Sequence, residues 1–301
     1  MTSTLNPLKP ARLGIGVISA GKVGAVLGAA LRAAGHLITG VHAVSEASRT
    51  RAEALLPGVP ISTIPDIVTT SEVVLLAVPD DALPDLVTGI AQTDGWRPGQ
   101  ILIHTSGRHG VGVLAPATAQ GAIGLAIHPA MTFTGLSLDL PRLTSTSFGV
   151  TGPAPFTPIA QALVVEMGGE PVLIAEGDRP LYHAALAHGS NHLVTITGQA
   201  LQILASIGIE NPARYIEPLL KASLDNALAN GENALTGPVA RGDAHTVAAH
   251  AQTLANYALE ENADDIKAAY LALARATAER AHHRGALTDE QYHAVLTALA
   301  G

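Results

Sequence analysis

The chain has 301 residues, of which 48% are hydrophobic and 14% charged, and its formal net charge is −8. Its length exceeds one typical domain and supplies ample material for a core. The acidic balance argues against a nucleic-acid surface, which needs a basic stripe. The absence of cysteine excludes disulfides, thiolate metal ligands and a cysteine nucleophile. No uninterrupted apolar run reaches the length of a membrane span. Residues 1–12 lack the apolar core of a signal peptide and read as a flexible tail, so the cytoplasm is the expected location.

Leu13 to Gly24 reads L-G-I-G-V-I-S-A-G-K-V-G, an apolar strand running into a glycine turn and then a helix. Ala25 to Gly35 continues as an Ala/Leu-rich helix, and Leu37 to Val41 reads as a second strand. This β-turn-α-β unit has the length of a dinucleotide site, in which backbone amides and a helix N-terminus meet a pyrophosphate. Ser19, Ala20, Gly21, Lys22, Val23 and Gly24 are the expected cofactor-binding turn. Gly21 leaves room for the phosphate, and Gly24 lets the helix pack on the strand. Ser19 stands where the G-x-G-x-x-G pattern has its first glycine.

The end of the second strand chooses between cofactors: an acid there bonds the ribose 2′-OH, whereas arginine and hydroxyls suit a 2′-phosphate. Gly40 to Arg51 offers His42 and Ala43, then Ser45, Ser48, Arg49 and Arg51. NADP(H) is therefore favoured over NAD(H), with Ser45, Ser48 and Arg49 as contacts. Glu46, turned inward, would reverse the choice.

Ser48 to Leu56 reads as a helix. Val73 to Val78 is the continuous apolar run of a strand buried on both faces of a parallel sheet. It ends in Pro79-Asp80-Asp81, and Val78, Pro79 and Asp80 are placed against the cofactor. After a helix over Ala82 to Ala91 come two more strands, Ile101 to His104 and Gly124 to His128. They stop at Thr105-Ser106-Gly107 and Pro129. Phe148 to Val150, a helix at Pro158 to Met167 and Pro171 to Ala175 complete the alternation. The pattern predicts a doubly wound, Rossmann-type parallel sheet.

From Arg179 onward long helical patterns take over: Pro180 to Ile207, Pro212 to Asn230, Asp243 to Leu259, Asp265 to His282 and Asp289 to Leu299. The expected organisation is a Rossmann-type domain over 13–177 and an all-helical domain over 178–301.

Ligands of open α/β sheets bind outside the carboxyl ends of the strands. Thr105 is placed there against the cofactor. A histidine relays protons near neutral pH and a serine hydroxyl orients a substrate oxygen, which makes His128 and Ser106 catalytic candidates. His109, His282, His283 and His293 read as surface residues, and no histidine spacing marks a metal site. In the helical half, His188, Asn191, His192 and Thr195 form a polar stripe on an otherwise apolar helix. His188 and Asn191 join the catalytic candidates. Arg241, in the loop Ala234 to Asp243, would pair with a substrate carboxylate, with Asn226 and Thr236 as further substrate contacts.

The stretches S-A-G-K-V-G (19–24), L-L-A-V-P-D-D-A-L (75–83), H-T-S-G (104–107), H-P-A-M-T-F (128–133), G-S-N (189–191) and A-L-T-G-P-V-A-R-G-D (234–243) carry a resemblance. Over almost its full length the chain resembles an uncharacterised bacterial family with a Rossmann-like domain and a helical domain of unknown function. That family is similar to the superfamily with a 6-phosphogluconate-dehydrogenase-like C-terminal domain. Ketopantoate reductase, pyrroline-5-carboxylate reductase and β-hydroxyacid dehydrogenases belong there, as, more distantly, does prephenate dehydrogenase. The resemblance implies a nicotinamide cofactor and a homodimer built through the helical half. It also implies NADPH-dependent reduction of a small 2-oxo acid, with ketopantoate, a pantothenate precursor, as first candidate. Reduction of a cyclic imine and a non-catalytic NADP(H)-binding sensor or scaffold are the alternatives. The lysine that relatives use as proton donor on the interdomain helix is missing between Arg179 and Glu217. His128-Pro129, similar to the His-Pro pair of prephenate dehydrogenases, offers a histidine relay instead.

Overall fold

The computed structural model describes residues 12–300; the expected tail falls outside it up to Ala11. The described residues form two compact units, one ending at His188 and one beginning at Gly189.

The first unit is built on seven strands: β1 (Gly14–Ile18), β2 (Leu37–His42), β3 (Val73–Leu76), β4 (Ile101–His104), β5 (Ile123–Pro129), β6 (Ser147–Thr151) and β7 (Glu170–Leu173). Their order is β2-β1-β3-β4-β5-β6-β7. The helices between them are α1 (Lys22–Ala33), α2 (Glu46–Leu55), α3 (Ile64–Thr70), α4 (Leu83–Ala91), α5 (Ala115–Thr118) and α6 (Thr157–Glu166). β1 lies between β2 and β3, so the chain reverses its direction of travel across the sheet there. A crevice opens outside the carboxyl ends of β1 and β3 as a result.

The strands read as apolar runs because both faces are covered. Val73 and Leu75 face the core beneath α1 and α6, with Leu27, Ile103, Leu125 and Phe148. Val74 and Leu76 face the opposite core, with Val87, Trp96, Leu102 and Leu114.

Two features depart from the sequence expectation. β6 runs antiparallel to β5, pairing His128 with Gly149, while the other neighbours are parallel. The segment between them holds only two 3-10 turns, at Ser137–Asp139 and Pro141–Ser145, and no crossover helix of the kind a parallel return needs. α3 is the second departure. Its Pro65 and β-branched residues hide it from a propensity reading, yet the Thr63 hydroxyl caps it and Ile67 and Val68 are buried.

A long helix, α7 (Arg179–Ser206), starts in the first unit and continues into the second. The second unit adds α8 (Pro212–Asn230), α9 (Ala244–Glu261), α10 (Asp264–His283) and α11 (Asp289–Ala298). Side chains mark three of the starts: Asn211 and Asp243 cap α8 and α9, and Thr288 with Gln291 forms a capping box on α11. Val247, Ala274, Ala278, Val295 and Leu299 form the core of α9–α11. α8 contributes no buried residue at all. No helix of the described residues is long and apolar enough to cross a membrane.

The turn between β1 and α1 is a local strain point. Ser19 has φ +80°, the left-handed region that glycine occupies without steric cost. A Cβ on Gly24 would lie 2.2 Å from the Ser19 carbonyl oxygen and 2.8 Å from the Ala77 Cβ. Ser19→Gly is expected to raise stability by about 1 kcal/mol. Gly24→Ala is expected to lower it by about 3 kcal/mol, because backbone has to move. Urea unfolding of the two variants checks both signs.

Candidate active site

The crevice outside β1 holds a cavity of about 490 Å³ lined by Ser19, Ala20 and Gly21 of the turn, His42 to Ser45 after β2, and Ala47, Ser48 and Arg51 of α2. Ile64, Val78, Ala82 and Leu86 complete an apolar slot. The volume is in the range of small-molecule sites, roughly 300–1,000 Å³. α1 enters this space with Gly21 as N-cap, no side-chain cap and no acid in its first turn. A 12-residue helix therefore presents uncapped amides and the positive end of its dipole. Lys22 is exposed there, Val23 is half-buried and Gly24 is buried.

Of the residues expected to choose the cofactor, Ser45 and Ser48 cap the start of α2. The Ser48 amide donates to Ser45 Oγ at 3.2 Å and the Ser48 hydroxyl donates to the Ser45 carbonyl at 2.7 Å. Arg49 is exposed on that helix, and the arginine that lines the cavity is Arg51. Arg51 Nη1 donates to the Ala20 carbonyl at 2.9 Å, tying α2 to the glycine turn. Helical spacing explains the choice: Arg51 shares the inward side with Ala47 and Ser48, which Arg49 does not. Glu46 lines a neighbouring cavity rather than this one.

At the carboxyl ends of β3 to β5, a second constellation is organised around Arg179, the first residue of α7. Its side chain is fully buried. Nε donates to Thr151 Oγ1 at 2.8 Å and Nη1 to the Ser106 carbonyl at 3.1 Å. Nη2 donates to the carbonyls of Ala126 and Gly149 at 3.1 and 2.9 Å. Glu176, just upstream, accepts the amides of Val111 and Gly112 at 2.8 and 2.9 Å. Its negative charge and that of Tyr182, when ionised, favour the guanidinium against the cost of burial.

His128 stands in this frame. Its Nδ1 lies 2.9 Å from Tyr182 Oη, and the two rings meet edge-on at 5.6 Å between centroids. The His183 ring is 6.2 Å away. In the tautomer that carries the imidazole proton on Nε2, the phenol donates to Nδ1. Gly107 packs against both rings: a Cβ there would come within 2.7 Å of His183 Cδ2 and 2.9 Å of His128 Nε2. Burial, with the positive charges of Arg179 and of His183 when protonated, lowers the pKa of His128 to about 4, against a smaller upward pull from Asp80. Burial raises that of Tyr182 against the opposing effect of Arg179.

His104 and Ser106 serve the loop instead. His104 is fully buried, accepts the Ser106 amide on Nδ1 at 3.3 Å and donates from Nε2 to the Gly110 carbonyl at 2.9 Å. Ser106 is buried and its Oγ accepts the His109 amide at 3.1 Å, so the hydroxyl expected to orient a substrate holds a turn. The Thr105 amide bonds the Leu76 carbonyl at 3.2 Å. Pro79 is exposed and Asp80 half-buried beside them, close enough for its charge to act on both His104 and His128. His109, read as a surface residue, has a buried Nε2 with no hydrogen-bond partner among the described residues. Arg179, Tyr182 and His183 were not among the sequence-based candidates; the i, i+3 spacing of Arg179 and Tyr182 was the available signal.

The remaining candidates lie on α7 and beyond. His188 and Asn191 are exposed on α7, and the Thr195 hydroxyl donates to the Asn191 carbonyl at 3.4 Å. Asn226 is exposed on α8. Thr236 lines a separate apolar cavity in the second unit, and Arg241 is exposed in the turn that ends at the Asp243 cap. Among the described residues no group of three or more histidines or acids is placed to hold a metal ion.

A doubly wound sheet with a switch-point crevice, followed by a helical unit, defines a Rossmann-type protein. Residues 1–129 match the Rossmann-like domain and residues 146–277 match a domain of unknown function, DUF2520. No curated protein matches the chain. Among solved structures it is similar to a Bacteroides fragilis protein provisionally described as an NADP oxidoreductase, with 19% identity and a TM-score of 0.73 over 88% of this chain and 98% of that one. An Aspergillus terreus reductive aminase, solved with NADPH and ethyl levulinate, has 16% identity and a TM-score of 0.63 over 95% and 99%. Plasmodium falciparum pyrroline carboxylate reductase, solved with NADP, has 13% identity and a TM-score of 0.54 over 89% and 97%.

The lowered pKa values of His104 and His128 predict an acid-sensitive fold. Both fall from 6.5 to about 4 on folding, His104 chiefly through burial. The unfolded chain thus binds more protons below pH 6.5. Stability is complete above that pH and is lost as the pH falls towards 4, by about 3 kcal/mol for His104 alone. Urea unfolding at pH 7.5 and 4.5 measures the loss. His104→Gln is expected to lower stability at pH 7.5 and to flatten the pH dependence.

Proposed function

We propose that the protein is an NADPH-dependent oxidoreductase that reduces a small carbonyl compound or imine. The observation that carries this reading is the uncapped, acid-free start of α1 opening into a cavity walled by Arg51. The amides of Lys22, Val23 and Gly24 suit a pyrophosphate, and the slot of Ile64, Val78, Ala82 and Leu86 suits an adenine. Arg51, with the hydroxyls of Ser45 and Ser48, suits a ribose 2′-phosphate. NADP named with the similar Bacteroides and Plasmodium proteins, and NADPH with the reductive aminase, supports the same cofactor. A reduced nicotinamide, when bound, supplies a hydride to an electrophilic carbon.

The chain's own residues supply the proton. His128 is neutral at pH 7, and in the tautomer that lets Tyr182 donate to Nδ1 its proton sits on Nε2, next to Gly107. It hydrogen-bonds the substrate oxygen or nitrogen as negative charge or a lone pair develops there. The Nε2 proton passes to that atom while the Tyr182 phenol proton moves to Nδ1. The phenolate left behind is stabilised by the charge of Arg179 and is reprotonated from solvent. This pair takes the place of the lysine that the helix lacks.

A cyclic imine is favoured among the substrates by Asp80, whose negative charge acts on His128 and suits a substrate that becomes cationic on protonation.

A homodimer through the helical half is part of the proposal. α8 exposes Tyr215, Leu219 and Leu228 at 65–78% of their surface. A 19-residue helix without a buried residue depends on a partner surface. Leu219→Glu combined with Leu228→Glu is expected to halve the mass measured by light scattering.

NADPH oxidation, followed by absorbance with 1-pyrroline-5-carboxylate or ketopantoate present and absent, tests the activity. Turnover with either is expected to fall about 10²-fold in His128→Ala and about tenfold in Tyr182→Phe, with NADPH affinity unchanged. Binding without oxidation of either substrate would leave a dinucleotide sensor.

A further inference from the structure

Arg51 needs to be held in place if it is to read a phosphate. Its stem and guanidinium form the wall between the cofactor cavity and a second cavity of about 710 Å³, which lies between α2 and residues 134–138. One tether is the Ala20 carbonyl. The other support is a bare backbone: a Cβ on Gly135 would come within 2.6 Å of Arg51 Nε and 3.0 Å of Lys22 Cγ. Gly135 has φ +81°, so the turn is shaped for glycine as well as crowded against the arginine.

Asp139 makes this turn rigid. It is fully buried and accepts the Thr134 amide at 2.8 Å, the Thr134 hydroxyl at 2.9 Å and the Gly135 amide at 2.8 Å. Burial alone would raise its pKa, but the amide and hydroxyl donors and Arg142 outweigh it and hold the carboxyl below the ordinary value. The turn is therefore a fixed surface pressed against Arg51 from the side opposite the cofactor cavity.

We propose that the Thr134–Gly135 turn, anchored by Asp139, is a positioning element for Arg51 and so sets the preference for a 2′-phosphorylated dinucleotide over its unphosphorylated form. The proposal rests on the reading of NADPH as cofactor. Gly135 acts through Arg51 and touches no ligand in this account.

The test compares NADPH and NADH dissociation constants, from nicotinamide fluorescence, in the full-length protein. The variants are Arg51→Ala, Gly135→Asn, the two combined, and Gly58→Asn. Asparagine tolerates a positive φ while adding a Cβ. Gly58, at φ +78° with nothing within 4 Å of its added Cβ, controls for backbone strain alone. Gly135→Asn is expected to narrow the preference for NADPH about tenfold with NADH affinity within about twofold. It is expected to add nothing to Arg51→Ala, and Gly58→Asn to leave the preference intact. Asp139→Asn, which withdraws the charge but keeps the shape, is expected to narrow the preference in the same direction.

Equal weakening of both dinucleotides by Gly135→Asn, additive losses in the double variant, or an unchanged preference in Asp139→Asn would each overturn the proposal. An effect at Arg51 with none at Gly135 overturns the positioning role and leaves the cofactor reading standing. A wild type without preference for NADPH, or one whose preference survives Arg51→Ala, overturns both.

Discussion

The buried guanidinium of Arg179 is the constraint on which the strand-end site depends. It gathers four acceptors, the carbonyls of Ser106, Ala126 and Gly149 and the hydroxyl of Thr151, from the loop after β4 and from two strands. Thr151 in turn donates to the Ile174 carbonyl at 2.6 Å. Because β5 and β6 are antiparallel, their facing carbonyls converge on one cation instead of being spent wholly in the ladder. A charge removed from water is tolerated only when its hydrogen-bonding groups are satisfied. Arg179 also begins α7, so the same interaction that closes the sheet's open end fixes where the long helix starts and delivers Tyr182 to His128.

Electrostatics at this end of the sheet work against protonated histidine. Burial and Arg179 together keep His104 and His128 neutral, which separates their roles by hydrogen bonding alone. His104 has both ring nitrogens engaged with backbone and acts as a strut for the loop through Ser106 to Gly110. His128 has one nitrogen engaged with a phenol and the other beside a glycine. What separates the two imidazoles is thus which neighbours each one meets, and residue type alone does not distinguish them.

The crevice outside β1 follows a different logic, in which backbone amides line the start of α1 and side chains surround them. An uncapped helix start attracts an anion whatever its sequence, provided no carboxylate competes. α1 meets that condition, and its turn accepts a left-handed Ser19 where glycine is the easier residue. Ser45 and Ser48, by capping α2, hold the segment that carries Arg51. Arg51 itself is braced by the Ala20 carbonyl on one side and by the backbone of Gly135 on another.

The sequence by itself determined the alternation of strands and helices, the phosphate-type turn at Ser19 to Gly24, the change to helices near Arg179 and the placing of His128 at a strand end. These are local properties: apolar periodicity, glycine placement and strand termini follow from neighbours close in the chain. Tertiary structure decided the rest. Only folding shows that Arg51 rather than Arg49 faces the cavity, because the direction of a helix face depends on what it packs against. Only folding reverses β6, buries Ser106 and His104 as struts, and brings Tyr182, 54 residues along the chain, to His128. Those outcomes rest on contacts between distant segments, whose energies exceed the local preferences that a sequence displays.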